Sequence, residues 1–156
     1  MKVNWKTLAI FVAIPLAVGG LAALLTAGSM EAYRELNKPA FSPPGWVFPV
    51  VWTVLFVLMG YASYRIYSAD APQYAKREAL FLYAAQLLAN FFWSLLFFRW
   101  ELRLTAFFWL FGLWLLIYGT IRLFYRVDNP AGDLLLPYLL WVTYASYLNL
   151  GAFLLN

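Results

Sequence analysis

The sequence predicts an all-α membrane protein: a five-transmembrane-helix bundle whose long loop between helices 1 and 2 caps a pocket. Three observations carry that prediction. Apolar residues make up 65% of the 156 positions and charged ones 12%, against about 45–50% and about 25% in ordinary soluble domains. The charges leave five clear apolar stretches, each able to hold the roughly 20 residues that cross a bilayer core of about 30 Å. The stretch "KPAFSPPGWVFPVVW", residues 38–52, places Pro39, Pro43, Pro44 and Pro49 where the second apolar run begins.

The elements follow in order. No charge separates Lys6 from Glu31, and the first helix is expected at about 7–27. Its apolar part is too long for a cleavable signal peptide, and other spans follow it. Ala9, Ala13 and Ala17 recur every four residues, with Gly19, Gly20 and Ala23 beyond them. Small residues at that spacing let backbones approach, within the bundle or between two copies. Pro15 lies mid-span and is expected to kink it.

Residues 28–44 form the longest link. Pro43 and Pro44 precede a second helix expected at about 45–66, where a missing N–H costs nothing. Pro49 is expected one turn inside, freeing the carbonyl near Gly45. Residues before proline are pushed toward extended conformations. Residues 37–44 should therefore be stiff and extended, suited to closing the mouth of the bundle.

The third helix is expected at about 79–98, between Glu78 and Arg99. Gln86, Asn90 and Ser94 share one of its faces, with Trp93 and Phe97 beside them. An amide in hydrocarbon needs a partner. It either glues helices together or lines a ligand cavity, and the sequence leaves both open. The fourth helix falls at about 104–124 and the fifth at about 134–154. On the fifth, Tyr138, Trp141, Ala145 and Asn149 share a face. Ala145 either admits a neighbouring helix or leaves room for a ligand. The whole of 1–156 reads as a single domain.

Seven basic residues flank the N-terminal side of the spans: Lys2, Lys6, Arg65, Lys76, Arg77, Arg122 and Arg126. Four flank the other: Arg34, Lys38, Arg99 and Arg103. Basic residues favour the cytoplasmic side, so the N-terminus is expected in the cytoplasm and the long loop outside. The net charge of +4 reads as contact with lipid headgroups rather than nucleic acid.

There is no cysteine and no histidine, which removes thiolate chemistry and the commonest metal ligand and general base. No Asp, Glu, Lys or Arg lies deep in a span, which argues against proton pumps, voltage sensors and charged filters. Aromatic residues are abundant instead, at 21%. Trp5 and Trp100 suit the interfacial belts, whereas Trp52, Trp93, Trp109, Trp114 and Trp141 fall inside spans, where each N–H wants a partner.

Three segments, "NKPAFSPPGWVFPVVWTVLF", "QLLANFFWSLLFF" and "LLLPYLLWVTYASYLNLGAFLL", carry a resemblance to the translocator protein (TspO/MBR) family, which includes the tryptophan-rich sensory proteins and peripheral-type benzodiazepine receptors. It runs from about residue 5 to 155. The resemblance implies a homodimeric five-helix bundle in the membrane, in bacteria the cell membrane. It implies a pocket for tetrapyrroles such as protoporphyrin IX and for benzodiazepine-site drugs, with no obligatory cofactor.

The family's pocket residues correspond to Tyr33, Trp46, Pro49, Trp52, Thr53, Asn90, Trp93, Trp141, Ala145 and Leu148. Trp52 and Trp141 resemble the tryptophans associated with light- and oxygen-dependent porphyrin breakdown, a catalytic alternative to binding, sensing or transport. One departure is clear. The family's sterol-recognition stretch ends in a Tyr and a basic residue, but Leu150 stands at the Tyr position and no Lys or Arg follows. Stacked aromatics with a few polar anchors suit a flat apolar ring. Without His or Cys, a metal-free porphyrin fits better than a ligated haem.

Overall fold

The computed structural model of the chain describes residues 2–156. Among them the regular structure is entirely helical: α1 Trp5–Thr26, α2 Met30–Arg34, α3 Val47–Ser68, α4 Gln73–Ser94, α5 Arg103–Val127, α6 Asn129–Leu134 and α7 Leu136–Leu154. The long helices α1, α3, α4, α5 and α7 make the expected five-helix bundle. Four of them are long and apolar enough to cross a membrane. The sequence reading counted a fifth span of the same kind. At 19 residues α7 has about 28 Å of length, but Tyr138, Tyr144, Tyr147 and Asn149 make it more polar. Each of those groups finds a partner inside the protein.

Helix ends are set by local chemistry. The Asn4 side chain accepts the Thr7 N–H at 3.2 Å, capping α1. Asp128 caps α6 through the Ala131 N–H at 3.1 Å and pairs with Arg65 of α3 at 2.7 Å. One carboxylate thus ties two helices at the end opposite the long loop.

Two boundaries differ from expectation. Helix α4 begins at Gln73, earlier than 79, because Gln73–Glu78 remain helical where the chain leaves the apolar layer. At its other end α4 does not run on as α-helix to 98. Residues Leu95–Arg99 form a π-turn, with the Trp100 N–H on the Leu95 carbonyl at 2.9 Å. Such wide turns re-aim side chains, and here Phe97 and Phe98 both turn toward the centre of the bundle.

Pro49 is the third residue of α3, which starts at Val47 with Trp46 as its cap. It lies in the first turn, not one turn inside, so its missing N–H removes no helical bond. Its carbonyl takes the Thr53 hydroxyl at 2.7 Å.

Helix α1 packs mainly on α3. The close approach is at Gly60, where an added Cβ would lie 2.5 Å from the Val12 Cα and 2.7 Å from the Phe11 carbonyl oxygen. Ala9, Ala13 and Ala17 are exposed and face away from the bundle, so they do not make this contact. Helix α5 packs against α4 and α7 and fills the core with Leu110, Leu113, Ile117 and Phe124. No such core fills the space between α1, α3, α4 and α7.

Candidate ligand-binding cavity

That space is a cavity of about 690 Å³, within the roughly 300–1,000 Å³ typical of small-molecule sites. Its wall is aromatic. Trp52 of α3 stacks on Phe56 at 5.6 Å between ring centroids. It meets Trp93 of α4 at 6.3 Å and Trp141 of α7 edge-on at 6.5 Å. Trp93 in turn stacks on Phe97 at 5.7 Å. On the α1 side the small residues Gly19, Gly20, Ala22 and Ala23 line the cavity together with Leu16, Val18 and Thr26. An added Cβ at Gly20 would meet nothing within 4 Å. An added Cβ at Gly19, by contrast, would lie 2.3 Å from the Phe56 ring, so the small residues of α1 both pack on α3 and line the cavity.

Polar anchors are few. The Tyr138 hydroxyl donates to the Gln86 Oε1 at 2.6 Å and accepts from the Asn90 Nδ2 at 2.8 Å. The Trp93 Nε1 donates to the Asn149 Oδ1 at 3.1 Å, and the Asn149 Nδ2 donates to the Arg103 carbonyl at 2.8 Å. Asn90 therefore does both things the sequence allowed: it ties α4 to α7 and it lines the cavity. Among the interior tryptophans, Trp109 and Trp114 also find acceptors, the Ala89 carbonyl and the Thr143 hydroxyl. Trp141 does not; its indole nitrogen is buried without a partner among the described residues.

The loop closes one end. It is not a straight extended strut, as 37–44 read in sequence. Residues 27–34 stay helical, and the chain then turns at Ala40–Phe41, where Phe41 takes φ 65°. The turn is held down on α7. The Tyr147 hydroxyl donates to the Ala40 carbonyl at 2.7 Å, and Tyr144 donates to that of Phe41. Asn37 and Asn156 bond reciprocally at 3.1 and 2.9 Å. Pro39 rests against Gly151. Beneath the loop, Tyr33 meets Phe98 and Phe48 edge-on at 5.4 and 6.0 Å.

Of the residues singled out in the sequence, Tyr33, Pro49, Trp52, Thr53, Asn90, Trp93, Trp141, Ala145 and Leu148 line this one cavity. Trp46 does not. It stands at the start of α3, 68% exposed, outside the lining. Sequence reading missed the π-turn residues Phe97 and Phe98 as a directed pair. It also missed the loop's seat on Tyr144, Tyr147 and Gly151. Two tyrosines three apart beside a glycine, at the loop end of the last helix, were the available signal. A second, shallower groove of about 530 Å³ separates α3 from α7 on the outside, and Trp141 borders both spaces.

Comparisons with known proteins agree with this architecture. A model of the TspO/MBR family matches residues 11–155. The tryptophan-rich protein TspO of Chlorobaculum tepidum is 38% identical over 151 residues, 96% of either chain. The tryptophan-rich sensory protein of Cereibacter sphaeroides is 38% identical over all of this chain and 95% of its own. The translocator protein of Bos taurus is 34% identical over 96% of this chain and 89% of its own.

Proposed function

The chain belongs to the TspO/MBR family of multi-pass membrane proteins, and from that premise we propose that it binds a flat, largely apolar ring compound of the tetrapyrrole class, protoporphyrin IX being the type ligand. The observation that carries the reading is the cavity itself: about 690 Å³ lined by Trp52, Trp93 and Trp141 and by the small residues Gly19, Gly20, Ala22 and Ala23 of α1 among others. Aromatic side chains stack on a planar ring at little entropic cost. The unpartnered Trp141 indole N–H is a donor that a ligand acceptor would satisfy, and burying it unpaired costs about 1–3 kcal/mol. The chain offers no His or Cys to a ring-bound iron. Benzodiazepine-site drugs, also flat and aromatic, suit the same space. A sensing or transport role follows from reversible binding beneath a docked loop. In the orientation that the basic residues favour, that loop lies outside the cell.

A second reading rests on one geometric feature. Trp52 and Trp141 stand edge to face in the same wall, where either ring can donate an electron to a light-excited ligand while dioxygen acts as oxidant. The porphyrin would supply the photochemistry, and the protein the position and the exclusion of water.

Titration of protoporphyrin IX in the dark tests binding: saturable quenching of tryptophan fluorescence is expected, and strictly linear quenching overturns it. Illumination in air then separates the two readings. Loss of the Soret band that is faster with wild type than with Trp52→Phe or Trp141→Phe supports photo-oxidation. Equal bleaching with and without protein leaves binding alone.

A further inference from the structure

The charges on the loop are sorted by face. The cavity lining contains two charged side chains, Arg34 and Lys38, and both are cationic. Arg34 is exposed and Lys38 half-buried, both at the rim of the cavity, whereas the neighbouring acids Glu31 and Glu35 are exposed and do not line it. Helix α2 ends at Arg34, and the non-helical chain that follows brings Lys38 back to the same cavity rim.

Neither cation is neutralised. Among the described residues the ion pairs are Arg65–Asp128 and Arg103–Glu101. The Lys38 ammonium donates to the Arg34 carbonyl at 3.2 Å and lies 5.0 Å from the Tyr33 ring centroid. That uses one of its three donors. No hydrogen bond within the described protein engages the Arg34 guanidinium. Two cations thus stand with free donors at the rim of an aromatic, otherwise uncharged cavity, where a ligand acid can accept charge-assisted hydrogen bonds.

We propose that this cationic cap reads an acidic group on the ligand. The cavity then selects amphipathic anions: a flat apolar body stacked on Trp52 and Trp93, and a carboxylate edge turned up to Arg34 and Lys38. This deepens the binding function proposed above and rests on it. It adds an orientation, acid toward the loop, and a graded preference: a neutral ring of the same shape still stacks on the tryptophans but gains nothing from the two cations.

The test compares protoporphyrin IX with its dimethyl ester, which keeps the ring and loses both negative charges. Binding is read by tryptophan quenching in phosphatidylcholine nanodiscs, where no net anionic headgroup competes. The quantity is the ratio of acid to ester affinity, taken in wild type and in Arg34→Gln/Lys38→Gln. Taking the ratio of ratios cancels the different membrane partition of the two ligands, as in a double-mutant cycle. The wild-type ratio is expected to exceed that of the double variant about tenfold, or about 1.4 kcal/mol, and to shrink as salt rises. Lys38→Arg, which keeps the charge, is expected to retain most of the preference.

Equal ratios in wild type and double variant, with both ligands still binding saturably, overturn the acid-reading role and leave the cavity reading standing. Failure of both ligands to saturate in wild type overturns the binding function itself. Repeating the titration in discs containing phosphatidylglycerol separates ligand from lipid. An acid preference that persists there supports the proposal, and one that vanishes assigns the cations to headgroups and overturns it.

Discussion

Pro39 of the loop sits on Gly151 of α7 so closely that a Cβ added at Gly151 would lie 2.5 Å from the Pro39 Cγ. The pyrrolidine ring has no rotamer by which to swing aside, since its φ is fixed. Gly151 is therefore the seat on which the closed position of the loop depends. Tyr144, Tyr147 and Asn156 hold the backbone on either side of that seat.

Gly151→Ala should lift the loop without weakening the helix, because alanine raises helix propensity by up to about 1 kcal/mol. The expected result is release of bound protoporphyrin several-fold faster in stopped flow, with thermal stability unchanged or higher. Gly112→Ala, at a site with nothing within 4 Å, should leave the release rate alone. Equal rates in Gly151→Ala and wild type would mean that the loop does not control exit.

Gly60 differs in kind. The atoms its Cβ would strike, the Val12 Cα at 2.5 Å and the Phe11 carbonyl at 2.7 Å, are backbone. They cannot rotate away, so α1 and α3 must separate. Overpacking of this sort costs about 1–3 kcal/mol. Gly60→Ala is expected to lower the melting temperature in detergent, while Gly20→Ala, facing open cavity, should not.

Tyr138 joins Gln86 and Asn90 through one hydroxyl. Tyr138→Phe removes that oxygen and leaves two buried amide groups short of a partner. Polar contacts between membrane helices average about 0.6 kcal/mol each, and an unsatisfied buried group costs about 1–3 kcal/mol. The expected loss is about 1–2 kcal/mol of stability, read from thermal unfolding in detergent. Asn90→Leu combined with Tyr138→Phe should cost less than the sum of the single changes, since each removes the same bond.

The bundle was legible because membrane insertion writes itself into charge spacing. The gaps Lys6–Glu31 and Arg103–Arg122 located α1 and α5 to within a few residues. Charge spacing fails where a helix outlasts the apolar layer, which is why Gln73–Glu78 were not expected as helix. It also carries no record of hydrogen-bond register, so the π-turn at Leu95–Arg99 and the aim of Phe97 and Phe98 were invisible.

The shared faces of Asn90 with Trp93 and of Trp141 with Ala145 were readable from helical periodicity, and the resemblance added Trp52 and Tyr33. Trp46 lies in the same proline-rich motif but outside the lining, because α3 starts just after it. The loop's contact with α7 joins residues more than a hundred positions apart, from Ala40 to Tyr147. No local pattern encodes such a pairing. Tyr144, Tyr147 and Gly151 carried its trace, and in sequence they look like any tyrosines and glycine of a membrane helix.

The most direct measurement is the anomalous diffraction of crystals grown with palladium-substituted protoporphyrin IX. Its square-planar ion asks for no axial ligand, which suits a chain without histidine or cysteine. The peak is expected inside the bundle, beneath Pro39 and within stacking distance of Trp52 and Trp93. A peak confined to the outer surface, including the groove between α3 and α7, would contradict the assignment of the cavity as the ligand site.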